Sequence, residues 1–408
     1  MSDVIVIGGG AAGMTAAIFA AEHSRVTLIE KNDRLGRKLA ITGKGRCNLT
    51  NNCDVDEVMK NIPRNPRFLY SAMNNFPPSE VMSFFEGLGV ELKTERGRRV
   101  FPVSDKAGDI VSALERELKR RNVEIVRENV RSLIIENGKC TGVNTAKKQF
   151  KADAVVLATG GRSYPKTGSD GFGYEIAKKA GHTVIPPKPS LSALVTEEQW
   201  VKKAAGLTLK NCSMRLLNGE KTIYEDFGEL GFTEDGIGGA TVLSASAHIP
   251  DGEENNCSVM IDLKPALPEK QLDQRILRDF SELHGKAFSD CLRKLLPKEL
   301  IEPLAEITGV EQSKKISEIT KEERKNLVKS LKALRLKISG FRPIDEAVIT
   351  RGGVCTKEID PKTMESRIVK GLFFAGEIID VDAYTGGFNL QIAFATGRLA
   401  GENSEKII

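Results

Sequence analysis

Runs of apolar residues and the glycines that interrupt them give the first reading of this chain. Val4, Ile5, Val6 and Ile7 form a short unbroken apolar run, followed by Gly8-Gly9-Gly10-Ala11-Ala12-Gly13 and a small-residue stretch from Met14 to Glu22. A second apolar run, Arg25 to Ile29, ends on Glu30. Short continuous apolar runs bounded by glycine mark strands buried on both faces, so this segment predicts strand, tight turn, helix, strand. Ala154 to Leu157 repeats the pattern before Ala158-Thr159-Gly160-Gly161, and Gly371 to Ala375 repeats it before Gly376-Glu377. Between them, helical stretches are expected around Val55 to Asn61, Ser79 to Leu88 and Ala107 to Arg121, the last with Ile110, Leu114 and Leu118 on one face. Val90 to Thr94 and Arg99 to Val103 read as a hairpin turning at Arg96-Gly97, and Val123 to Val126 as a strand. Val130 to Ile135 and Cys140 to Asn144 flank Asn137-Gly138, a strong hairpin turn.

The pattern changes at Pro186-Pro187-Lys188-Pro189, which breaks both periodicities and reads as a stiff linker. Leu191 to Ile261 alternates in short segments with a turn at Asn218-Gly219, an all-β reading. Pro268 to Ile338 is helical in pattern, with Leu272 and Leu277 among its apolar positions. From about Gly340 the first pattern returns, and Tyr384 to Leu390 opens a helix rich in Ala and Gly. The expected architecture is α/β: a doubly wound, Rossmann-like domain made from residues 1–190 and 341–408, split by a β-plus-helical insert at 191–340.

These glycines and acids carry a specific chemistry. Gly-x-Gly-x-x-Gly between a strand and a helix, with an acid about 20 residues on, is the fingerprint of a bound adenine dinucleotide. Gly8 permits the turn, Gly10 lets a pyrophosphate approach the backbone, Gly13 lets helix and strand pack closely, and the helix start at Ala11 and Ala12 presents free N–H groups. Glu30 is placed for the ribose hydroxyls. The cationic, glycine-dense loop after it supplies Lys31, Lys38, Thr42, Gly43, Arg46, Cys47 and Asn48, and suits a long, extended FAD better than a nicotinamide. Thr159 and Gly160, Val130 of the crossover hairpin, and Gly376 with Glu377 at the ribityl chain extend the site. Gly387, Asn389 and Leu390 open a helix whose N-terminus would face the flavin C2 carbonyl, where negative charge grows on reduction. The cofactor is therefore expected to be FAD, non-covalent by default. With one dinucleotide fold legible, NAD(P)H enters only as a transient reductant. No catalytic acid or base is identified outright; the candidates are the phenols Tyr164 and Tyr384, and Arg351 in Thr350-Arg351-Gly352-Gly353-Val354, whose two glycines imply close backbone approach, expected to be to the flavin.

The chain resembles the BaiN-like flavoproteins, the aminoacetone oxidase family. The resemblance rests on Arg37-Lys38-Leu39 with Thr42 to Asn51, Ala158 to Thr167 with Gly168-Ser169-Asp170-Gly171, Thr350 to Ser366, and Phe374 to Gly397. It implies bound FAD and a split FAD domain with an insert. Activities in that family include reduction of unsaturated bile-acid ketones and amine oxidation, so the resemblance leaves the substrate open. One departure stands out: Gly236-Ile237-Gly238-Gly239-Ala240 replaces the family's usual Gly-Leu-Ser-Gly-Pro, in a loop, Phe232 to Ala240, expected on the active-site face. The expected function is an FAD-dependent oxidoreductase, an NAD(P)H-linked reductase of an unsaturated carbonyl compound. The alternatives are a flavin amine oxidase, or a flavin-binding assembly or RNA-modification partner.

Composition changes this picture little. With 408 residues, 40% apolar and 28% charged, the chain reads as an ordinary globular enzyme, and no apolar run approaches a membrane span. A cytoplasmic protein acting on a small molecule is expected, without a membrane and, at a net charge of +5 with acids and bases interleaved, without nucleic acid. The oligomeric state stays open. Four scattered histidines, His23, His182, His248 and His284, assemble no metal set. Cys47 and Cys53 sit where disulfide reductases carry a redox pair, but are separated by five residues, and no histidine follows His284 to serve as the base. They are expected to be reduced thiols. Arg98 and Arg99, and the Lys/Glu-rich stretch Glu311 to Lys337, read as solvated faces.

Overall fold

A computed structural model describes residues 2–406, and the chain divides into two compact units, Leu191–Arg342 and the two flanks that precede and follow it. In the flanking unit the apolar runs become parallel strands: β1 (Ser2–Ile7), β2 (Ser24–Glu30), β3 (Glu124–Arg127), β4 (Ala154–Leu157) and β5 (Leu372–Phe374). Their order across the sheet is β5-β4-β1-β2-β3, so β1 lies at the centre with β2 and β4 paired to either side. β5 pairs with β4 in register Val155↔Leu372, which puts the N-terminal and C-terminal flanks in one sheet. Both faces are covered, which is why β4 reads as unbroken Ala-Val-Val-Leu, every residue of it buried. The α/β, Rossmann-like expectation is borne out.

Three helices matter for the site: α1 (Ala11–Ala20), α2 (Ala107–Arg120) and α3 (Phe388–Ser404). α1 and α3 are nearly uniform in burial, because they are covered by the sheet and by each other. A Cβ placed on Gly397 would lie 2.4 Å from the Ala12 carbonyl oxygen, and one on Gly401 would lie 2.4 Å from that of Ala16. Four residues apart, these glycines share one helix face, so the two backbones touch along a full turn.

The Leu191–Arg342 unit has its own core, a closed barrel in the order Leu194–Thr196, Gly236–Gly238, Lys221–Phe232, Thr208–Asn218, Cys257–Asp262, Leu334–Phe341. Four helices, Glu269–Glu282, Phe288–Leu295, Ile301–Thr308 and Lys321–Lys332, lie between its fifth and sixth strands in the chain. No helix of the described residues is long and apolar enough to cross a membrane.

Four local expectations are corrected. Pro186 to Pro189 is not a linker but part of a strand, Val184–Ser190, paired antiparallel with Ile349–Val354. The register shifts between Ile185 and Lys188, so Pro186 and Pro187 fall where the ladder is broken and their missing N–H groups cost nothing. The helical reading to Ile338 ends at Lys332, and Leu334–Phe341 is the closing barrel strand, with Leu334, Leu336 and Ile338 alternately buried. Leu277 is 43% exposed, while Leu272 and Ile276 form the buried face. The expected loop Phe232 to Ala240 contains a barrel strand, Gly236–Gly238, and the start of a helix, Ala240–Ser246.

Behind β5, His182 is buried, with its Nε2 2.8 Å from Ser366 Oγ and its ring edge-on to Phe374 at 4.8 Å. Burial pushes this imidazole below its ordinary range, against the opposing pull of the Glu358 carboxylate. The unfolded ring titrates near about 6.5, so the unfolded chain takes up a proton that the folded one resists. Stability from this group is full above that pH and falls as the pH drops through it. His182→Gln should flatten the decline in urea midpoint between about pH 7.5 and about pH 5.5. Packing of α3 gives a second expectation. Gly401→Leu should lower stability by roughly 1–3 kcal/mol in urea unfolding. Gly108→Ala, in open space at the start of α2, should be neutral or slightly stabilising, by up to about 1 kcal/mol.

Candidate functional site

Close packing at the end of β1 builds the first part of the site. A Cβ on Gly13 would lie 1.8 Å from the Gly8 carbonyl oxygen, so only glycine lets α1 start against its own turn. Gly10 differs: nothing lies within 4 Å of a Cβ placed there, and α1 begins with no side-chain cap. The helix start therefore presents its N–H groups to open space, the cradle an anion needs. Glu30, 8% exposed at the end of β2, accepts from Gly9 N–H at 2.7 Å through Oε2 and from the Asn32 N–H and amide at 2.8 and 2.6 Å through Oε1. Thr159, just past β4, has a buried Oγ1 with no hydrogen-bond partner among the described residues. An uncapped helix start, an open glycine, a carboxylate at the next strand end and an orphaned hydroxyl fit an adenine dinucleotide. Gly10 to Gly13 would hold its pyrophosphate and Glu30 its ribose.

The second part is the start of α3. Its N-cap is Gly387, with φ 100° and no side-chain cap. A Cβ there would lie 2.4 Å from the Thr50 carbonyl oxygen, so the cationic loop and the helix start meet backbone to backbone. Asn48, with its amide oriented to satisfy both neighbours, donates to the Thr50 carbonyl and accepts from Gly387 N–H, each at 3.1 Å. Thr50 Oγ1 donates to Gln391 at 2.6 Å, and the Gln391 amide donates to the Phe76 carbonyl at 2.7 Å. Asn389 bonds the backbone of Ala383 on both sides, at 2.9 and 2.7 Å, and so shapes the turn before the helix. Leu390 packs against the core from the first turn of α3. Gly376 N–H donates to Thr396 Oγ1 at 2.9 Å, which ties the end of β5 to α3.

Glu377 is the junction of the site. Its Oε2 accepts from Lys38 Nζ at 2.7 Å, and its Oε1 accepts from Thr350 N–H at 2.8 Å and Ser163 Oγ at 3.1 Å. Lys38 also donates to Ser163 at 2.6 Å, and Thr350 Oγ1 accepts from the Arg162 and Ser163 N–H groups at 2.8 and 3.1 Å. The acid expected at a ribityl chain thus joins four segments of the chain. Ser163 and the Thr350 hydroxyl were not singled out by the sequence reading, and only their adjacency to Gly161 and Arg351 could have drawn attention to them.

The other expected residues are spread around these two parts. Lys31 pairs with Asp170 at 2.7 Å on the surface. Arg46 pairs with Glu95 and Asp105 and lies 4.2 Å over the Phe101 ring, so its charge braces the loop. Thr42 caps the preceding turn through the Leu39 carbonyl at 2.7 Å, and Gly43 is exposed. Cys47 is buried and its thiol pushed up to about 12 by desolvation; Cys53 is likewise raised, to about 11, and neither is in a disulfide. Val130 is core, paired with Thr145. Gly160 lies against Ser169, and Arg351 is 3% exposed. Gly352 and Gly353 do meet close backbone, but the chain's own: a Cβ on either would lie 2.5 Å from the carbonyl oxygen of Pro186 or of Ile378. Tyr164 has left-handed φ 53° and is half-buried; Tyr384 is half-buried four residues before α3. No group of three or more potential metal ligands occurs among the described residues.

Comparison with known proteins agrees with this geometry. The model of the HI0933-like protein Rossmann domain matches residues 2–403. The chain is 34% identical to the 3-dehydro-bile acid delta(4,6)-reductase of Clostridium scindens, over 98% of both chains. It is 32% identical to the ribosomal RNA dihydrouridine synthase of Haemophilus influenzae, over 97% of this chain and 96% of that one. Among solved structures, the 3-ketosteroid delta1-dehydrogenase of Sterolibacterium denitrificans shares the fold, with a TM-score of 0.53 at 15% identity over 99% of each chain.

The Glu377 junction gives a testable expectation. Lys38→Met leaves the carboxylate without its cation and should weaken FAD binding about tenfold, the scale of one charge-assisted bond. Adding Glu377→Gln should recover part of the accompanying loss in thermal stability, because the unpaired charge is then gone. Fluorescence titration of the apoprotein with FAD and calorimetry read the two effects separately.

Proposed function

The chain belongs to the HI0933-like Rossmann family and is an FAD-dependent oxidoreductase, and from that premise we propose that it reduces a carbon–carbon double bond conjugated to a carbonyl, with NAD(P)H as a transient reductant. The observation that carries this reading is the phenol of Tyr384, four residues before the uncapped start of α3. Burial pushes this phenol above its ordinary range, so it keeps its proton at neutral pH and can serve as an acid. Reduction of a conjugated bond needs a hydride at the β carbon and a proton at the α carbon. FAD, when bound, supplies the hydride; the chain must hold the cofactor, exclude competing solvent and deliver the proton. Gly10 to Gly13, Glu30 and the first turn of α3 are the residues that would hold it. The names of two relatives converge on this chemistry: one reduces a steroid double bond, and dihydrouridine is uridine whose ring double bond, conjugated to a carbonyl, is saturated.

RNA is therefore the second reading, favoured by the near full-length match to a ribosomal RNA dihydrouridine synthase. Against it stands the charge of residues 191–342, with 23 Lys and Arg against 24 Asp and Glu, which offers no net attraction for a phosphate backbone. Anaerobic stopped-flow mixing decides among the readings. NADH or NADPH should reduce the flavin, and 2-cyclohexen-1-one should reoxidise it without oxygen. Reoxidation by uracil-containing RNA alone would move the assignment to RNA, whereas faster flavin reduction by aminoacetone than by either nicotinamide would move it to amine oxidation.

A further inference from the structure

The turn that carries Tyr384 is zipped to a segment that no motif marks, Asn61 to Pro66. Tyr384 N–H donates to the Asn61 carbonyl at 3.0 Å, and Asn65 Nδ2 donates to the Asp380 carbonyl and carboxylate at 2.7 and 3.1 Å. Two prolines, Pro63 and Pro66, bracket Arg64 and fix the backbone on either side of it. Arg64 Nη1 lies 3.4 Å from Asp382 Oδ1. The Asp382 side chain is fully buried and also accepts from Ser190 Oγ at 2.7 Å, while the Arg64 side chain keeps 26% of its surface exposed. Arg64 Nε and Nη2 have no hydrogen-bond partner among the described residues. A guanidinium anchored at one nitrogen by a buried carboxylate, with two donors left over and one side open, is oriented but unsaturated. Both Arg64 and Asp382 act electrostatically on the Tyr384 phenol, which follows Asp382 by two residues in the turn zipped to the Arg64 segment.

We propose that Arg64 receives the carbonyl oxygen of the substrate and that Tyr384 beside it delivers the proton. The proposal rests on the enone reading above and names the groups that execute it. Hydride addition to the β carbon pushes the double-bond electrons toward the carbonyl, and the oxygen becomes an enolate oxyanion. The free N–H donors of Arg64 pair with that charge as it develops, where a preorganised donor lowers the barrier most. The Tyr384 O–H bond then breaks, its proton goes to the α carbon, the carbonyl reforms, and the phenolate regains a proton from water. One hydride and one proton are added, and the product is the saturated ketone. Asp382 acts as a positioning residue, holding the guanidinium in place.

The test uses the oxidised holoenzyme and 4-nitrophenolate, whose absorbance reports binding of an aromatic oxyanion. Wild type should bind it; Arg64→Ala should lose about tenfold or more in affinity at equal FAD content and thermal midpoint, and Arg64→Lys should recover part of the loss. Equal affinity in wild type and Arg64→Ala, or no binding to wild type, overturns the proposal. A second measurement mixes dithionite-reduced enzyme with 2-cyclohexen-1-one. If the wild type is not reoxidised, the enone reading fails and 4-nitrophenolate alone judges Arg64. If it is, Arg64→Ala should slow reoxidation and raise the enone concentration for half-maximal rate, and Tyr384→Phe should slow it with a diminished solvent isotope effect. An unchanged rate in Arg64→Ala again overturns the assignment.

Discussion

Backbone contact around the first turn of α1 is the constraint on which the remaining structure depends. Gly13 sits on the carbonyl of Gly8, and Ala12 and Ala16 receive Gly397 and Gly401 of α3. No side chain larger than hydrogen fits at these contacts, so each removes a degree of freedom from the strand, turn and helix it joins. Rigidity is what leaves Gly10 in open space: its neighbours are held back by packing elsewhere, and the N–H groups of α1 converge on a cradle the chain does not fill. The dipole of α3 is placed by the same contacts, because the helix cannot slide along α1 without breaking two glycine seats.

A second layer is electrostatic. Two carboxylates that look alike in the sequence, each at the end of a parallel strand, have different tasks. Glu30 faces its own glycine turn and the next loop, both through N–H donors. Glu377 is saturated by Lys38, Ser163 and Thr350, contributions from three segments separated by more than a hundred residues each. It fixes the relative placement of these segments. Arg46, one of the loop cations expected at the cofactor, is held by Glu95 and Asp105 and stabilises the loop.

Much of this was legible before the structure. Strand runs, the glycine fingerprint and the C-terminal strand-acid-glycine segment could be read because each obeys a local rule of period or spacing. The misses share one cause, tertiary partners that local pattern cannot see. Pro186 and Pro187 look like a break, yet they are tolerated in a strand because they lie in its own bulge, opposite Gly352. Leu334 to Ile338 follows helices and carries the same Lys-rich composition, but its alternation belongs to the barrel it closes. Gly352 and Gly353 announced a close approach correctly, with the partner being the chain itself. Arg64 and Ser163 announced nothing, since their environments are made by residues hundreds of positions away, at 382 and 377.

The order of the strands also bears on how the protein is made. β4, complete by Leu157, must wait for β5 at Leu372 before its outer edge is paired, and α1 waits longer still for α3. During synthesis the ribosome emits the whole of Leu191–Arg342 in the interval, a unit with its own barrel and core. The nascent N-terminal part thus carries an open, apolar sheet edge through the translation of more than two hundred residues, and an unpaired edge is a template for edge-to-edge association. α1 and α3 meet at the Gly397 and Gly401 seats only once α3 has been made, so the glycine fingerprint is complete in the chain well before its packing is.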